Sequence, residues 1–282
     1  MKARMRAAVK ACALVAFVAL LTSVLLGATA YTPSLELRPL AEFYLSNCLN
    51  PYNKALWAAS PETVTAMLWD YRGLDTVFET TVFFLALVGS AALFRFADAA
   101  LLSFESKSRE RRDEGLSVIV RVVTRITFVL IVALSISIAL HGHITEGGGF
   151  QAGSIFAVAP LLATAAFSRR FVEGLGLTRR SCQAAMSVGL ISIALISLAP
   201  LLTISLGYVG AFIIQNQPKP WLPAPTFPGY PVQLGLMWLS GSLSLFNVAE
   251  YLTVASGFTL FFILLSLPED FYRSLLGRRA PC

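Results

Sequence analysis

Residues 141–154 read HGHITEGGGFQAGS and separate two long apolar runs. Gly147, Gly148 and Gly149 can adopt backbone angles that are closed to other residues. The chain can therefore leave one helix here, turn sharply and enter the next. This stretch predicts a specialised junction between two helices, and the apolar length on either side predicts that both helices lie in a membrane.

Small residues follow the junction at intervals of four, at Gly149, Gly153 and Ala157. On a helix this spacing forms a smooth strip against which another helix can pack closely. A glycine-rich loop before a helix also occurs in phosphate-binding loops, but GGGFQAGS lacks both the Lys-Ser/Thr pair and the GxGxxG spacing. The strip therefore predicts helix packing rather than nucleotide binding.

The composition of the whole chain is that of a membrane protein. Of the 282 residues, 56% are hydrophobic and 13% are charged, and the mean hydropathy is +0.69. Apolar runs of about 20 residues can cross a bilayer as helices. We predict an all-α, polytopic fold with about six transmembrane helices. They cover approximately residues 9–30, 75–96, 116–140, 150–167, 182–206 and 245–267.

Lysine and arginine are distributed very unevenly between the predicted loops. With both termini in the cytoplasm, sixteen of the 22 basic residues lie in inner segments and four lie in outer segments. Basic residues favour the cytoplasmic side of a membrane. Both termini are therefore predicted to be cytoplasmic, and the 141–154 junction is predicted to face outward. Cys48 is then expected outside, within reach of an impermeant thiol reagent.

Several classes of activity lack their sequence signatures. The four cysteines form no CxxC pair, which argues against a zinc finger. The basic residues occur in short clusters beside apolar runs rather than on one polar domain, which argues against nucleic-acid binding. No nucleophile–base pair, redox motif or nucleotide loop is present. We predict no catalytic residue and no cofactor, so the chain is not expected to be an enzyme by itself.

Three segments resemble parts of a known family. GHITEGGGFQAGSI, which begins at Gly142, resembles the Gly-His…Pro-Gly-Gly-Gly-Phe…Gly-Gly signature of the MnhB/MrpB-like component of Mrp-type multisubunit cation/proton antiporters. The same signature marks the related membrane-arm component of membrane-bound hydrogenase-type respiratory complexes. SGSLSLFNVAEYLTVASGF, residues 240–258, resembles the last helix of that family. YRGLDTVFETTVFFLALVG, residues 71–89, is similar to an adjacent Arg-Gly-Phe-Asp-Thr segment that often lies on a separate chain, so the resemblance implies a fusion.

The resemblance implies a non-catalytic membrane-arm subunit of a multisubunit Na⁺/proton antiporter module, which can also belong to a redox-driven complex such as a membrane-bound hydrogenase. The implied partners are antiporter-like membrane subunits, membrane lipid, and Na⁺ or H⁺, in the plasma membrane of a prokaryote. We expect a two-helix segment with an outer amphipathic region, residues 1–115, and a four-helix domain, residues 116–282. A purely structural scaffold and a self-contained secondary transporter remain as alternatives.

Acidic residues within the predicted spans are candidates for ion translocation. Arg72, Asp75 and Glu79 are spaced three and four positions apart and share one helix face. A carboxylate inside a span is costly and usually marks an ion or proton route. The alternative is that Asp75 caps the helix and Glu79 favours its positive end. Glu250, in the last span, either belongs to an ion path or hydrogen-bonds to a neighbouring helix.

Three further candidates for ion translocation, His141, His143 and Glu146, lie in the junction. Histidine titrates near neutral pH, so these residues are candidates for a proton relay. One alternative is a structural role, in which a histidine stabilises the negative end of a helix. A small metal site is the other alternative, but two histidines and one glutamate do not close such a site, so no metal is predicted.

Overall fold

The computed structural model describes residues 2–29, 36–94, 116–235 and 237–267. Long apolar runs satisfy their backbone hydrogen bonds in a membrane by forming helices. The helices are α1 (Lys2–Thr29), α2 (Pro39–Cys48), α3 (Thr63–Ala66), a π-helix (Met67–Tyr71), α4 (Gly73–Leu93), α5 (Val118–His141), α6 (Gly149–Ala166), α7 (Arg169–Gly174), α8 (Arg179–Leu198), a 3-10 helix (Ala199–Leu201), α9 (Leu202–Ser205) and α10 (Ser242–Leu265). A small antiparallel hairpin pairs β1 (Gln233–Leu234) with β2 (Met237–Trp238).

Within the described ranges, five helical segments are long and apolar enough to cross a membrane. They are α4, α5, α6, α10 and Arg179–Ser205, which includes α8 and α9. The predicted all-α, polytopic fold is confirmed. The first predicted span coincides with α1, whose described apolar part, Cys12–Gly27, is shorter than the other five. The count of six and the cytoplasmic termini stay predictions, because Met1 and residues 268–282 lie outside the described residues.

Two compact units make up the chain, Met1–Phe43 and Tyr44–Cys282. The first unit contains α1 and the beginning of α2, and the described side chains of α1 are exposed. The second unit contains the other spanning helices and the loops that connect them. The predicted division after residue 115 remains a prediction.

Helix α10 is the centre of the second unit and packs against both α6 and α8. Such close approach requires small residues on the neighbouring helices. A Cβ atom added to Gly153 of α6 would lie 2.7 Å from the Cβ atom of Val254. One added to Gly189 of α8 would lie 2.8 Å from the carbonyl oxygen of Ala249. The small-residue strip of α6 therefore faces a helix of the same chain.

The predicted outer amphipathic region forms the short helices α2 and α3, and its second half covers the end of the unit that holds the 141–154 junction. We call this end the junction end. The Ser60 hydroxyl donates to the carbonyl oxygen of His143 at 2.6 Å. The Thr65 hydroxyl donates to the carbonyl oxygen of Gly142, also at 2.6 Å. These bonds satisfy carbonyl groups of the junction directly after α5, so the region covers the junction end of the chain's own helices.

Cys48 lies inside this cap and is only 1% exposed. Its thiol donates to the carbonyl oxygen of Ser60 at 2.8 Å. Burial raises the pKa of the Cys48 thiol to about 11, and the thiolate is the form that reacts with thiol reagents. The expectation that an impermeant reagent reaches Cys48 is therefore wrong, because the loop that follows α2 covers the residue.

A cysteine introduced at Tyr52 tests the predicted orientation instead. Tyr52 is 99% exposed at the junction end, and Leu175 is 51% exposed at the opposite end. In intact cells, an impermeant maleimide is expected to label Tyr52→Cys but not Leu175→Cys, because the distribution of basic residues predicts that the junction end lies outside. Labelling is measured on the purified chain and compared with the wild-type chain. Labelling of Leu175→Cys alone would reverse the orientation.

Candidate functional site

A polar cavity of about 260 Å³ lies in the second unit near its junction end. A cavity of this size has room for several water molecules. Its polar side chains are Thr65, Thr76, Glu79, Gln151, Asn247 and Glu250. Glu79 and Glu250 lie about 9 and 12 Å along their helices from the junction end, at a rise of about 1.5 Å per residue. The structure thus brings the two acidic candidates from α4 and α10 to one cavity.

Glu79 lies on the exposed side of this cavity. In the part of the chain that the structure describes, Glu79 has no ion-pair partner. Asp75, one turn earlier, forms an ion pair with Arg72, and both of these side chains are more than half exposed. The two carboxylates of the predicted helix face therefore differ: Asp75 is held in a surface ion pair, whereas Glu79 faces the cavity.

A second and larger cavity, of about 440 Å³, contains Asp75 together with Arg72 and Asp70. Burial raises the pKa of Asp70 to about 6, and the positive charge of Lys219 opposes this rise. The ammonium group of Lys219 donates to the carbonyl oxygen of Trp57 at 2.6 Å. Asp70 thus gives the junction end a carboxyl group that titrates near neutral pH, a feature that the sequence pattern did not identify.

Glu250 lies on the buried side of the smaller cavity, with 7% of its surface exposed. The backbone N–H of Phe150 and the indole N–H of Trp69 lie beside its carboxylate, where they can donate to it. Phe150 is in the first turn of α6, and the positive end of a helix favours an anion. A Cβ atom on Gly149 would lie 2.8 Å from Oε2 of Glu250. The junction glycine therefore allows a helix N-terminus to approach a buried carboxylate.

Trp69 is a site residue that the sequence analysis missed. It belongs to the π-helix, and single π-helical turns are frequent at functional sites. Its ring stacks on that of Phe246 at 4.5 Å, with an interplanar angle of 1°. The hydroxyl of Thr76 donates to the carbonyl oxygen of Leu68 at 2.6 Å, which ties the π-helix to α4. The sequence MLWDY, residues 67–71, has no feature that predicts a π-helix. The proximity of Trp69 to Glu250 is therefore visible only in the folded structure.

Asn247 lies one helical turn before Glu250 on α10 and is fully buried. Neither its amide oxygen nor its amide nitrogen has a hydrogen-bond partner among the described residues. The side chain lines the smaller cavity. Among the described residues, Asn247 is therefore a buried polar group without a partner, at a place where the contents of the cavity can supply one.

His143 is fully buried at the junction. Its Nε2 atom lies 2.6 Å from the carbonyl oxygen of Trp238, and a carbonyl oxygen can only accept, so Nε2 carries the hydrogen. The Nδ1 atom is buried and has no partner in the described ranges. Burial lowers the pKa of His143, so the ring is neutral. This histidine joins the junction to the β2 strand.

The other two junction candidates lie apart from the cavity. The Nδ1 atom of His141 is 2.9 Å from the carbonyl oxygen of Ser137, within α5, and Glu146 is exposed. Over the described stretches, no group of three His, Cys, Asp or Glu residues is placed to hold a metal ion. His141, His143 and Glu146 therefore make separate contacts, and the cavity is built from other residues.

The segment that matches a known family includes both the 141–154 junction and the part of α10 that carries Asn247 and Glu250. The domain related to the MnhB subunit of Na⁺/H⁺ antiporter matches residues 119–260, half of the chain. The chain belongs to this family. The resemblance seen at the junction is thereby confirmed, and the MnhB-related part contains Asn247 and Glu250 but not Glu79.

This MnhB-related chain is similar in sequence to one further protein and shares its fold with chains of two solved structures. An uncharacterized protein of Methanocaldococcus jannaschii is 28% identical over 193 residues, which are 64% of this chain and 74% of that protein. A chain of the membrane-bound sulfane sulfur reductase, an archaeal respiratory membrane complex, shares the fold with a TM-score of 0.58 and 22% identity. The alignment covers 92% of the MnhB-related chain and 100% of the reductase chain.

The fold also occurs in the Mrp complex from Dietzia sp. DQ12-45-1b, with a TM-score of 0.54 and 22% identity. That alignment covers 90% of the MnhB-related chain but 25% of the Dietzia chain. Both solved structures are of membrane complexes, in agreement with the five apolar helices found in the described ranges. The MnhB-related chain is a multi-pass membrane protein.

Proposed function

We propose that this MnhB-related chain is a non-catalytic subunit of a multisubunit cation/proton antiporter-type complex, in which it helps to conduct Na⁺ or H⁺. The observation that supports conduction is that Glu79 and Glu250 line one cavity. The proposed partners are antiporter-like membrane subunits, as the multisubunit relatives suggest. The proposed location is the plasma membrane of a prokaryote.

The exposed position of Glu79 supports a partner on that side of α4. Charged groups within a span almost always face protein or a water-filled cavity, because lipid solvates them poorly. The side chain is exposed in the isolated chain, so in the complex a neighbouring protein is expected to cover it. The proposed route then connects that neighbour, through Glu79 and the cavity, to Glu250.

The two alternatives explain less of this arrangement. A purely structural scaffold gives no reason for two carboxylates to share a cavity at a similar depth. A self-contained transporter would enclose its ion route, whereas Glu79, on the open side of the cavity, is exposed at the surface of this chain. Because the proposed role is conduction, we assign no catalytic residue, metal or cofactor to the chain, even if it belongs to a redox-driven complex.

Neutralising Glu250 tests the proposed function. Glutamine has nearly the same size as glutamate and its amide oxygen can still accept from Phe150 and Trp69. Glu250→Gln complexes are therefore expected to assemble normally. Cation/proton exchange, measured in inverted membrane vesicles, is expected to fall about tenfold or more, because the buried group can no longer bind and release a proton or balance a cation. Normal exchange by the assembled variant would favour the scaffold role.

A further inference from the structure

We propose that Asn247 and Glu250 form a binding site for one Na⁺ ion in the smaller cavity, with the amide oxygen of Asn247 as a direct ligand. The proposal rests on the proposed function, because the cavity must lie on the route of the transported ion. It adds a residue to that route, and it identifies the place where the cation exchanges part of its water for protein oxygens.

The unpaired amide of Asn247 is the first observation that carries this proposal. Buried polar groups almost always have a hydrogen-bond partner, because an unpaired dipole in a medium of low polarity is unfavourable. Asn247 is 0% exposed, and neither polar atom of its amide has a partner in the described part of the chain. Since the side chain lines the cavity, an ion or water in the cavity can supply the partner that the described residues do not.

The geometry of α10 directs a second oxygen donor to the same place. Residues three positions apart lie on the same face of a helix, and both Asn247 and Glu250 line the cavity. The carboxylate of Glu250 can accept from Phe150 and Trp69, but a carboxylate has about four acceptor positions. It can therefore keep these bonds and still contact an ion in the cavity.

Two threonine hydroxyls in the cavity lining are set to act as acceptors. Thr65 donates its hydroxyl hydrogen to the carbonyl oxygen of Gly142, and Thr76 donates its own to the carbonyl oxygen of Leu68. A hydroxyl group has one hydrogen and two lone pairs. Because both hydrogens are already committed, each hydroxyl can offer only oxygen lone pairs to the cavity. The surroundings of Asn247 and Glu250 thus favour a cation over an anion.

The oxygen ligands that line the cavity indicate which class of cation can bind there. Carboxylate, amide and hydroxyl oxygens bind hard cations, whereas soft metals prefer sulfur or imidazole. A divalent ion commonly uses several carboxylates, but the buried side of this cavity has one, that of Glu250, which balances a single positive charge. A monovalent metal cation, Na⁺, balances the charge of Glu250 and pairs with the amide oxygen of Asn247, while water bound to the ion can accept from the amide nitrogen.

Chemical modification of Glu250 in the purified wild-type complex tests the site without any substitution. A hydrophobic carbodiimide is added in NaCl or in choline chloride of equal ionic strength, and modified Glu250 is quantified by mass spectrometry. Bound Na⁺ should block the carboxyl group, so modification is expected to slow about tenfold once Na⁺ reaches about ten times its dissociation constant. Equal rates in the two salts would overturn the proposal.

Substitution of Asn247 then tests the proposed ligand. Asn247→Leu has a similar size but no oxygen donor, and the Na⁺ concentration that protects Glu250 is expected to rise about tenfold or more. Asn247→Ala is used if leucine prevents assembly. Thr259→Val is the matched control, because Thr259 is a buried polar residue of the same helix whose hydroxyl donates to Ala255; its protection curve should not change. An unchanged curve for an assembled Asn247 variant would remove Asn247 as a ligand.

Different experimental results would disprove the Na⁺ site and the conduction role. If Glu250→Gln abolishes exchange but Na⁺ does not protect wild-type Glu250, the Na⁺ site is wrong and the conduction role stands. If Glu250→Gln complexes exchange ions normally, the conduction role itself is wrong, whatever the protection experiment shows.

Discussion

Vesicles that contain Glu79→Gln complexes are expected to lose cation/proton exchange on the order of a hundredfold, the loss typical of removing a group that transfers a proton. Glutamine keeps the size and polarity of the side chain. Glu79 has no ion pair to lose within the described part of the chain, so folding and assembly should be unaffected. The loss is measured as the Na⁺-driven change in internal pH, with native gels to verify assembly.

Two neighbouring acidic residues provide matched controls for Glu79. Glu146 is exposed in the junction and does not line the cavity, and Asp75 is held in a surface ion pair with Arg72. Surface ion pairs contribute little to stability, so Glu146→Gln and Asp75→Asn are each expected to keep at least about half of the exchange rate. Wild-type exchange by an assembled Glu79→Gln complex would refute the conduction role of Glu79.

Gly153→Leu is expected to remove the chain from its complex. Even a Cβ atom at Gly153 would lie 2.7 Å from the Cβ atom of Val254 and 2.8 Å from the backbone nitrogen of Ala255. The backbone cannot move aside without separating α6 from α10. Overpacking by one methyl group typically costs about 1–3 kcal/mol, so Gly153→Ala should weaken the chain and the leucine should prevent native packing. The readout is the amount of chain recovered with a tagged partner protein of the complex.

Gly89→Leu is the control for this experiment. Gly89 also lies in a spanning helix, but a Cβ atom added there meets no atom of the described chain within 4 Å. Helix propensity favours leucine over glycine, so the control chain should fold at least as well as the wild type. Recovery of Gly153→Leu at the wild-type level would show that α6 and α10 do not pack through this glycine.

Hydropathy was sufficient to predict the fold class because a membrane restricts the chain to few structures. The five spans found by length and apolarity begin and end close to the predicted bounds. The last span begins directly after Gly241, which has a φ of +66°. The predicted N-terminal span is not among these five, because the described apolar part of α1 is short.

The candidate site was only partly predictable. Glu79 and Glu250 attract attention because charges are rare in spans, and both line the cavity. Thr65 and Trp69 lie in a mixed segment that has no regular apolar period, and their role depends on contacts with residues far away in the sequence. The partner of His143 is the carbonyl oxygen of Trp238, a backbone atom that no sequence pattern can indicate. The burial of Cys48 was missed for the same reason, because its thiol bonds to a backbone atom, the carbonyl oxygen of Ser60.

The smaller cavity is lined by residues that are synthesised at very different times. Thr65 and Glu79 come from the first third of the chain, whereas Asn247 and Glu250 lie on the last spanning helix. The cavity is therefore incomplete until that helix has entered the bilayer and packed against α6. During synthesis the nascent chain therefore lacks the complete cavity, and the proposed ion site can form only after the last spanning helix is in place.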